Sequence, residues 1–256
     1  MRYKYITFFI ILLCCISYSQ ESITQYHGTI LIGITRNDTM WIGVDSKSVG
    51  NNGDVRTACK IIKTPEFVFA HAGLTQVNIK SGNKVIKEIK IDSLLYDAYK
   101  QGISMDKTME IFNKNFIHMH EIEGSLMNSK ANYPINFVLN EIASTIFFAK
   151  YDNNKIEFIF NYYFPIVREH NHIEVKFSPH KVVSKMGDEV KIAPFFPRFR
   201  KKEPLVIDIS KDIPANLRNF IKHQITVDTT NLGLPINIIR ICKNGIDWID
   251  KHQPCK

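Results

Sequence analysis

The residues best suited to chemistry are a threonine that follows a glycine, an aspartate and a lysine. Gly28-Thr29 opens an apolar run, Asp45 lies sixteen residues after Thr29, and Lys60 comes later. A threonine hydroxyl is a weak nucleophile that needs a base. If the Gly28–Thr29 bond is cut, Thr29 gains an α-amine with a pKa of about 8, which is partly neutral at physiological pH and can accept the proton. This is the chemistry of a self-processing amide hydrolase.

Lys60 and Asp45 have defined parts in such a site. A lysine ammonium near the amine would lower its pKa by like-charge repulsion and stabilise developing negative charge. A buried ammonium needs a carboxylate partner, which Asp45 could supply. Taken singly, Thr29 could be a β-branched strand residue, Asp45 a turn residue and Lys60 a solvated edge charge. The three at these spacings, in an apolar context, favour the catalytic interpretation.

The elements that must position these residues are short strands. Residues 29–35 and 39–45 predict two strands around a turn, and the segment 46–54 predicts a loop. Two further strands are predicted at 56–63 and 67–72, separated by Thr64-Pro65.

In the rest of the chain, groups of predicted strands alternate with groups of predicted helices. Apolar spacing predicts helices after Asp92, after Ser104 or Asp106, and over 214–227. The second helix carries an apolar face that we interpret as core packing, formed by Met105, Met109, Phe112, Phe116 and Met119. Hairpins are predicted at 142–164 and 236–249. Because strands and helices are grouped, the sequence predicts an α+β fold with antiparallel sheets in layers.

The first nineteen residues predict a secretory signal peptide. Arg2 and Lys4 precede an apolar run that is too short to favour a membrane span, and Ser17-Tyr18-Ser19 is a small-x-small cleavage site. We therefore expect 1–19 to be a leader, 20–28 a propeptide, and 29–256 one domain in an exported protein. The leucines before Cys14 and Cys15 fit a lipid-attachment motif poorly, so a lipoprotein is not predicted.

The chain is mildly basic, with a formal net charge of +8. The dense basic run at 198–202 is bounded by prolines and is interpreted as a solvated loop, so no nucleic-acid partner is predicted. No cofactor and no metal site are predicted, because neither His170 and His172 nor His118 and His120 have a third ligand at motif spacing.

Three cysteines remain after the leader. Cys59, Cys242 and Cys255 form an odd set, which argues against a disulfide framework. Cys59 and Cys242 lie in apolar runs and are interpreted as small core residues.

Several motifs together resemble a known family. They are Gly28-Thr29-x-x-x-Gly33, Ile42-Gly43-Val44-Asp45-Ser46-Lys47, Cys59-Lys60-Ile61 and Ala70-His71-Ala72-Gly73. This pattern resembles the start of proteasome β-type subunits, which are N-terminal nucleophile hydrolases. The resemblance implies a four-layer αββα sandwich of two antiparallel sheets, cleavage before Thr29, and a catalytic set of Thr29, Asp45 and Lys60.

The resemblance continues towards the C-terminus. It implies that Asp228 lies near the Thr29 amine and that Gly187 belongs to a turn that could bind an oxyanion, with Lys47 in support. Asp188 stands where the family has a serine, and its carboxylate could raise the pKa of the amine and weaken the base. Asn231 stands near a second serine position and could still form hydrogen bonds. Asp228 could also be only a helix-end residue.

Two functions follow from these observations. One is an exported threonine hydrolase that cleaves peptide bonds or small-molecule amides. The other is a catalytically inactive secreted protein on the same fold, with a binding or assembly role. The resemblance also allows a homo-oligomer. Residues 76–140 match the family poorly, so the substrate is not identified.

Overall fold

A computed structural model describes residues 21–28, 30–50, 52–81, 84–128, 144–167, 173–185, 191–195, 212–230, 232–252 and 255. These residues form an α+β structure with two antiparallel sheets and three helices. The α+β class with antiparallel sheets was predicted from the sequence and is confirmed.

The larger sheet has nine strands in the described part of the chain. Its main path runs β11-β10-β9-β7-β1-β4-β5, and β6 and β8 also pair with β7. The strands are β1 (Glu21–Gly28), β4 (Lys47–Gly50), β5 (Val55–Thr57), β6 (Ile61–Lys63), β7 (Val68–Ser81), β8 (Lys84–Lys90), β9 (Ser144–Asp152), β10 (Lys155–Val167) and β11 (Ile173–Lys185).

The smaller sheet has five described strands in the order β12-β2-β3-β13-β14. They are β2 (Leu31–Arg36), β3 (Thr39–Asp45), β12 (Lys191–Phe195), β13 (Ile236–Cys242) and β14 (Gly245–Asp250). The β2–β3 and β13–β14 hairpins were predicted from the sequence, and β13 pairs with β3 from Ile236↔Asp45 onwards. Asp45 is therefore the last residue of a strand with neighbours on both sides.

Three helices pack against the sheets. They are α1 (Ile91–Gly102), α2 (Met105–Asn128) and α3 (Ile213–Val227). Asp212 caps α3 by accepting a hydrogen bond from the Ala215 backbone N–H at 3.1 Å. None of these described helices combines the length and apolar character needed to cross a bilayer.

The buried apolar side chains form three clusters. The first joins α1 and α2 to the nine-stranded sheet, with Phe112 and Phe116 of α2 packed near Phe69 and Phe148. Met105, Phe112, Phe116 and Met119 are buried and Met109 packs against the same cluster, so the predicted core face of this helix is confirmed.

The second and third clusters lie on the two faces of the smaller sheet. Ile42 and Val44 of β3 belong to a cluster with Phe147 and Phe158 of the larger sheet. A separate cluster contains strand residues of the smaller sheet and apolar residues of α3, among them Ile32, Ile34, Ile238, Leu217 and Ile221. The smaller sheet is thus apolar on both faces.

The first strand is among those that were not predicted. Residues 21–28, expected to be a propeptide, form β1, which pairs with β7 from Glu21↔Ser81 to Gly28↔Gly73 and with β4 at two positions. In the described sheet, β1 is the strand that joins β4 and β5 to β7.

Other strand boundaries differ from the prediction. The segment 46–54, predicted as a loop, contains β4, and the predicted strand at 56–63 is divided into β5 and β6. The Ala58 N–H donates to the Ser46 carbonyl at 2.8 Å, which continues the β4–β5 register by one residue. β7 extends to Ser81, nine residues beyond the predicted end of that strand, because β1 and β8 pair with its second half.

The cysteine prediction was wrong. Cys59 and Cys255 form a disulfide between positions separated by 196 residues, and Cys242 is the free cysteine of the described set. Cysteine count and local apolarity do not reveal which side chains meet when a chain folds.

Candidate functional site

A fully buried ion pair lies at the end of β3. Lys60 Nζ is 2.7 Å from Asp45 Oδ1, and both side chains are 0% exposed. Burying a single charge costs several kcal/mol or more unless it is paired and hydrogen-bonded, so each group requires the other.

Asp45 gathers four described hydrogen-bond donors from distant parts of the chain. Oδ1 accepts from Lys60 Nζ and from the Ile30 backbone N–H at 3.0 Å. Oδ2 accepts from the backbone N–H groups of Lys47 and Gly233, both at 3.2 Å. Both carboxylate oxygens are therefore occupied, which fixes the rotamer of Asp45 and compensates its burial.

The local sequence explains how the pair is brought together. Asp45 ends β3, Ile30 directly precedes β2, and Lys60 directly precedes β6. Since β2 and β3 belong to one sheet and β6 to the other, the ion pair links the two sheets at this end.

Burial sets the electrostatics of the lysine. The low-dielectric surroundings lower the pKa of Lys60 below its ordinary value, and the adjacent Asp45 carboxylate opposes that change. A lysine with a lowered pKa and a fixed carboxylate partner is typical of catalytic sites, although structural ion pairs show the same pattern.

Lys47 holds a second segment against this site. Besides its backbone contact with Asp45, its Nζ donates to the Thr229 carbonyl at 2.5 Å. A Cβ added at Gly233 would lie 2.8 Å from Lys47 Cδ, so the lysine stem runs directly over the glycine. Lys47 therefore fixes the segment whose Gly233 N–H reaches Asp45.

Asp228 lies at the C-terminal end of α3. Its backbone N–H donates to Gln224, and its carbonyl accepts from the Leu232 N–H at 3.0 Å. These bonds tie the end of the helix to Leu232, the residue before Gly233. The predicted contact between Asp228 and the Thr29 amine stays a prediction.

Several predicted site residues fall outside the described residues. They are Thr29, Gly187, Asp188 and Asn231. The backbone of Gly28 is described and pairs with Gly73 at the end of β1. Of the predicted set, the structure brings together Asp45, Lys60 and Lys47.

Sequence reasoning missed several neighbours of the ion pair. The backbone N–H of Gly233 donates to Asp45. Asn237 Nδ2 donates at 2.7 Å to Oγ of Ser46, the residue that follows Asp45. A backbone N–H donor cannot be predicted from residue type, because nearly every residue has one. His71, which belongs to the Ala70-His71-Ala72-Gly73 motif, is buried beside Lys60.

The described residues offer no candidate metal site. Within the ranges described above, no three His, Cys, Asp or Glu side chains gather in a way that could hold an ion. The His170–His172 segment lies outside those ranges.

Comparisons with known proteins give only distant likenesses. No family model matches the sequence, and no curated protein does. A solved structure of Anbu, described as an ancestral β-subunit, from Yersinia bercovieri has 8% identity and a TM-score of 0.47, with 88% of each chain covered. An Anbu Gly-1 mutant from Hyphomicrobium sp. strain MC1 has 8% identity and a TM-score of 0.42, covering 88% of this chain and 86% of that one.

These findings correct the family assignment made from the sequence. The assignment to the proteasome β-subunit family of N-terminal nucleophile hydrolases is wrong, because no family model matches and both structural likenesses are at 8% identity with TM-scores below 0.5. Neither likeness bears on export, cleavage or activity. The chemistry of the site therefore has to be argued from its own residues.

Proposed function

We propose that this chain is a threonine hydrolase of amide bonds, activated by cleavage between Gly28 and Thr29. The observation that carries the proposal is the Lys60–Asp45 ion pair. Asp45 Oδ1 accepts a hydrogen bond from Lys60 Nζ and another from the backbone N–H of Ile30, the residue that follows Thr29. An ammonium held here would keep the pKa of a neighbouring α-amine low, so that the amine could act as a base. It would also stabilise negative charge in the transition state.

The first reaction would be intramolecular. The Thr29 hydroxyl attacks the Gly28 carbonyl carbon, a C–O bond forms, and the Gly28–Thr29 C–N bond breaks as the nitrogen takes up a proton. Water then hydrolyses the ester, which leaves a Gly28 carboxylate and a free Thr29 amine. With a substrate amide, the Thr29 hydroxyl would form an acyl-enzyme as the substrate C–N bond breaks and the amine leaves with a proton. Water would then hydrolyse the ester in the same way.

An extended peptide is the substrate class that the surrounding backbone favours. β1 approaches the scissile bond as an extended segment paired with β7 and β4, and it ends at Gly28. A substrate peptide that paired with the same strands would present its own carbonyl at this position, because strand addition fixes register through backbone hydrogen bonds.

We further infer that residues 29–256 form one four-layer αββα domain and that residues 1–19 direct export. The three apolar clusters support the layered arrangement, since they join helices to a sheet, sheet to sheet, and sheet to helix. The Cys59–Cys255 disulfide supports export, because such bonds persist mainly in oxidising compartments.

Intact-mass measurement and N-terminal sequencing test the proposal. The wild-type protein should yield a chain that begins at Thr29, and Thr29→Ala should remain uncleaved. Thr39→Ala, a threonine in the neighbouring strand β3, is the control and should be cleaved like the wild type. A wild-type preparation in which every molecule keeps residues before Thr29 would contradict the hydrolase proposal.

One observation favours the alternative of a non-enzymatic binding or assembly protein. In the described sheet β1 joins β4 and β5 to β7, so an uncleaved chain keeps this sheet continuous. This alternative predicts no cleavage and the same oligomeric mass for the wild type and Thr29→Ala. Native mass spectrometry of both proteins distinguishes it from the hydrolase.

A further inference from the structure

His71 is a buried side chain with no part in the reaction proposed above. It lies in β7 with 1% of its surface exposed, and its ring centroid is 5.8 Å from that of Phe69. The Lys60 ammonium lies close enough to act on the ring electrostatically. A polar ring in such a place needs hydrogen-bond partners to offset its desolvation.

The contacts of His71 converge on the peptide that carries Lys60. Its backbone N–H donates to the Lys60 carbonyl at 2.9 Å. Its ring Nε2 lies 3.3 Å from the Cys59 carbonyl oxygen. A carbonyl can only accept, so Nε2 carries the hydrogen in this contact.

The chain before β6 depends on these two bonds. The regular pairing of β6 with β7 begins only at Ile61↔Ala70, and Cys59 and Lys60 precede it. The backbone bond from His71 to Lys60 continues the β6–β7 register by one residue, and the ring of His71 adds a bond to the preceding carbonyl. Because Lys60 is long and flexible, the position of its backbone determines where its ammonium can meet Asp45.

The imidazole is suited to this contact because it is neutral. Burial, and secondarily the Lys60 ammonium, lower the pKa of His71 to about 3. A cationic side chain here would repel the Lys60 ammonium, whereas a neutral N–H donor fixes the carbonyl without adding charge.

We propose that the His71 ring is a positioning group that binds the Cys59 carbonyl and so holds the Lys60 ammonium on Asp45. Its consequence for catalysis rests on the hydrolase function proposed above. The positioning itself concerns only the ion pair, so it can be measured whether or not the chain is cleaved.

The test is lysine NMR on the full exported chain labelled with 13C at lysine Cε. Lys60→Met assigns the Lys60 signal. His71→Leu removes the ring donor and should move that signal towards the shifts of exposed lysines. His71→Gln keeps an N–H donor and should leave the signal near its wild-type position. His118→Gln, on an exposed histidine, is the control.

The rate of Gly28–Thr29 cleavage provides the second measurement. His71→Leu should slow cleavage at least tenfold, and His71→Gln should restore most of the rate. An unchanged Lys60 signal in His71→Leu would overturn the positioning role. A wild type that is never cleaved but shows the expected NMR pattern would refute the hydrolase alone. If His71→Leu does not fold, His71→Asn, whose amide is too short to reach Cys59, replaces it.

Discussion

At the scale of single residues, the candidate site is organised by one carboxylate. Asp45 accepts hydrogen bonds from Ile30, Lys47, Lys60 and Gly233, and it is fully buried. Three of these donors are backbone groups whose positions depend on the fold. The Lys60 ammonium supplies the compensating charge. Its removal should leave the Asp45 carboxylate stabilised only by the three backbone N–H groups.

We expect Lys60→Met to lower the free energy of unfolding by about 3–5 kcal/mol, because it leaves the Asp45 charge buried without a cation. Urea denaturation measures the loss. Lys63→Met, on an exposed lysine three residues later, should change stability by less than about 0.5 kcal/mol. The double variant Asp45→Asn/Lys60→Met should lose less than the sum of the two single variants, and strict additivity would contradict a coupled pair.

His71 should make stability depend on pH. Its pKa is lowered from 6.5 in the unfolded chain to about 3 in the fold, so between these values the unfolded chain binds more protons. The contribution of His71 is complete above pH 6.5 and is lost as the pH falls towards 3, with a slope of up to about 1.4 kcal/mol per pH unit.

Urea denaturation at several pH values checks this prediction. His71→Gln does not titrate in that range and should flatten the slope relative to the wild type. His223→Gln, on an exposed histidine of α3, is the control for the removal of a histidine. Equal slopes for the wild type and His71→Gln would show that His71 titrates normally in the fold.

At the scale of elements, α3 packs closely on β3 and ends at Val227, directly before Asp228. A Cβ added at Gly43 of β3 would lie 2.8 Å from Ile221 Cδ1 and 2.9 Å from Leu217 Cδ2 of the helix. The glycine therefore sets how near the helix can approach the sheet.

We expect Gly43→Ala to destabilise the protein by about 1–3 kcal/mol through overpacking. Gly33→Ala, in the adjacent strand β2, should cost less, because the opposing atom is the flexible Met40 methyl group. Leu217→Ala should be better tolerated in the Gly43→Ala background than in the wild type. Thermal unfolding of the four variants measures these differences, and an equal cost for both glycines would contradict the packing argument.

At the scale of the whole molecule, the Cys59–Cys255 disulfide joins the C-terminal residues to the segment beside the ion pair. The bond closes most of the chain into one loop, so it restricts the unfolded state strongly. It also anchors the residue immediately before Lys60.

The double variant Cys59→Ser/Cys255→Ser should lose about 2–5 kcal/mol of unfolding free energy under oxidising conditions. Cys242→Ser, at the free cysteine, should lose little. Denaturation curves with and without a thiol reductant provide the measurement. A reductant that destabilises the wild type but not the double variant would assign the effect to this bond, whereas equal sensitivity would contradict it.

Much of the fold follows from local patterns. The spacing of Phe112 and Phe116 predicted a helix face that the structure buries, and the β2–β3 and β13–β14 hairpins follow turns visible in the sequence. The sequence analysis expected Asp45 to be the carboxylate partner of a buried Lys60, and the two side chains form an ion pair. These features depend on a residue and its near neighbours, which the sequence displays directly.

The sequence by itself determined the chemical groups, the core-facing sides of the helices, and the pairing of a lysine with an aspartate. Only the tertiary structure decided that the Gly233 N–H donates to Asp45, which lies 188 positions away in the sequence. It also decided that Cys59 bonds to Cys255 and that the segment before Thr29 joins a sheet. The physical reason is that such contacts use backbone groups and side chains far apart in the chain. Their meeting is fixed by how whole sheets pack, which no local periodicity records.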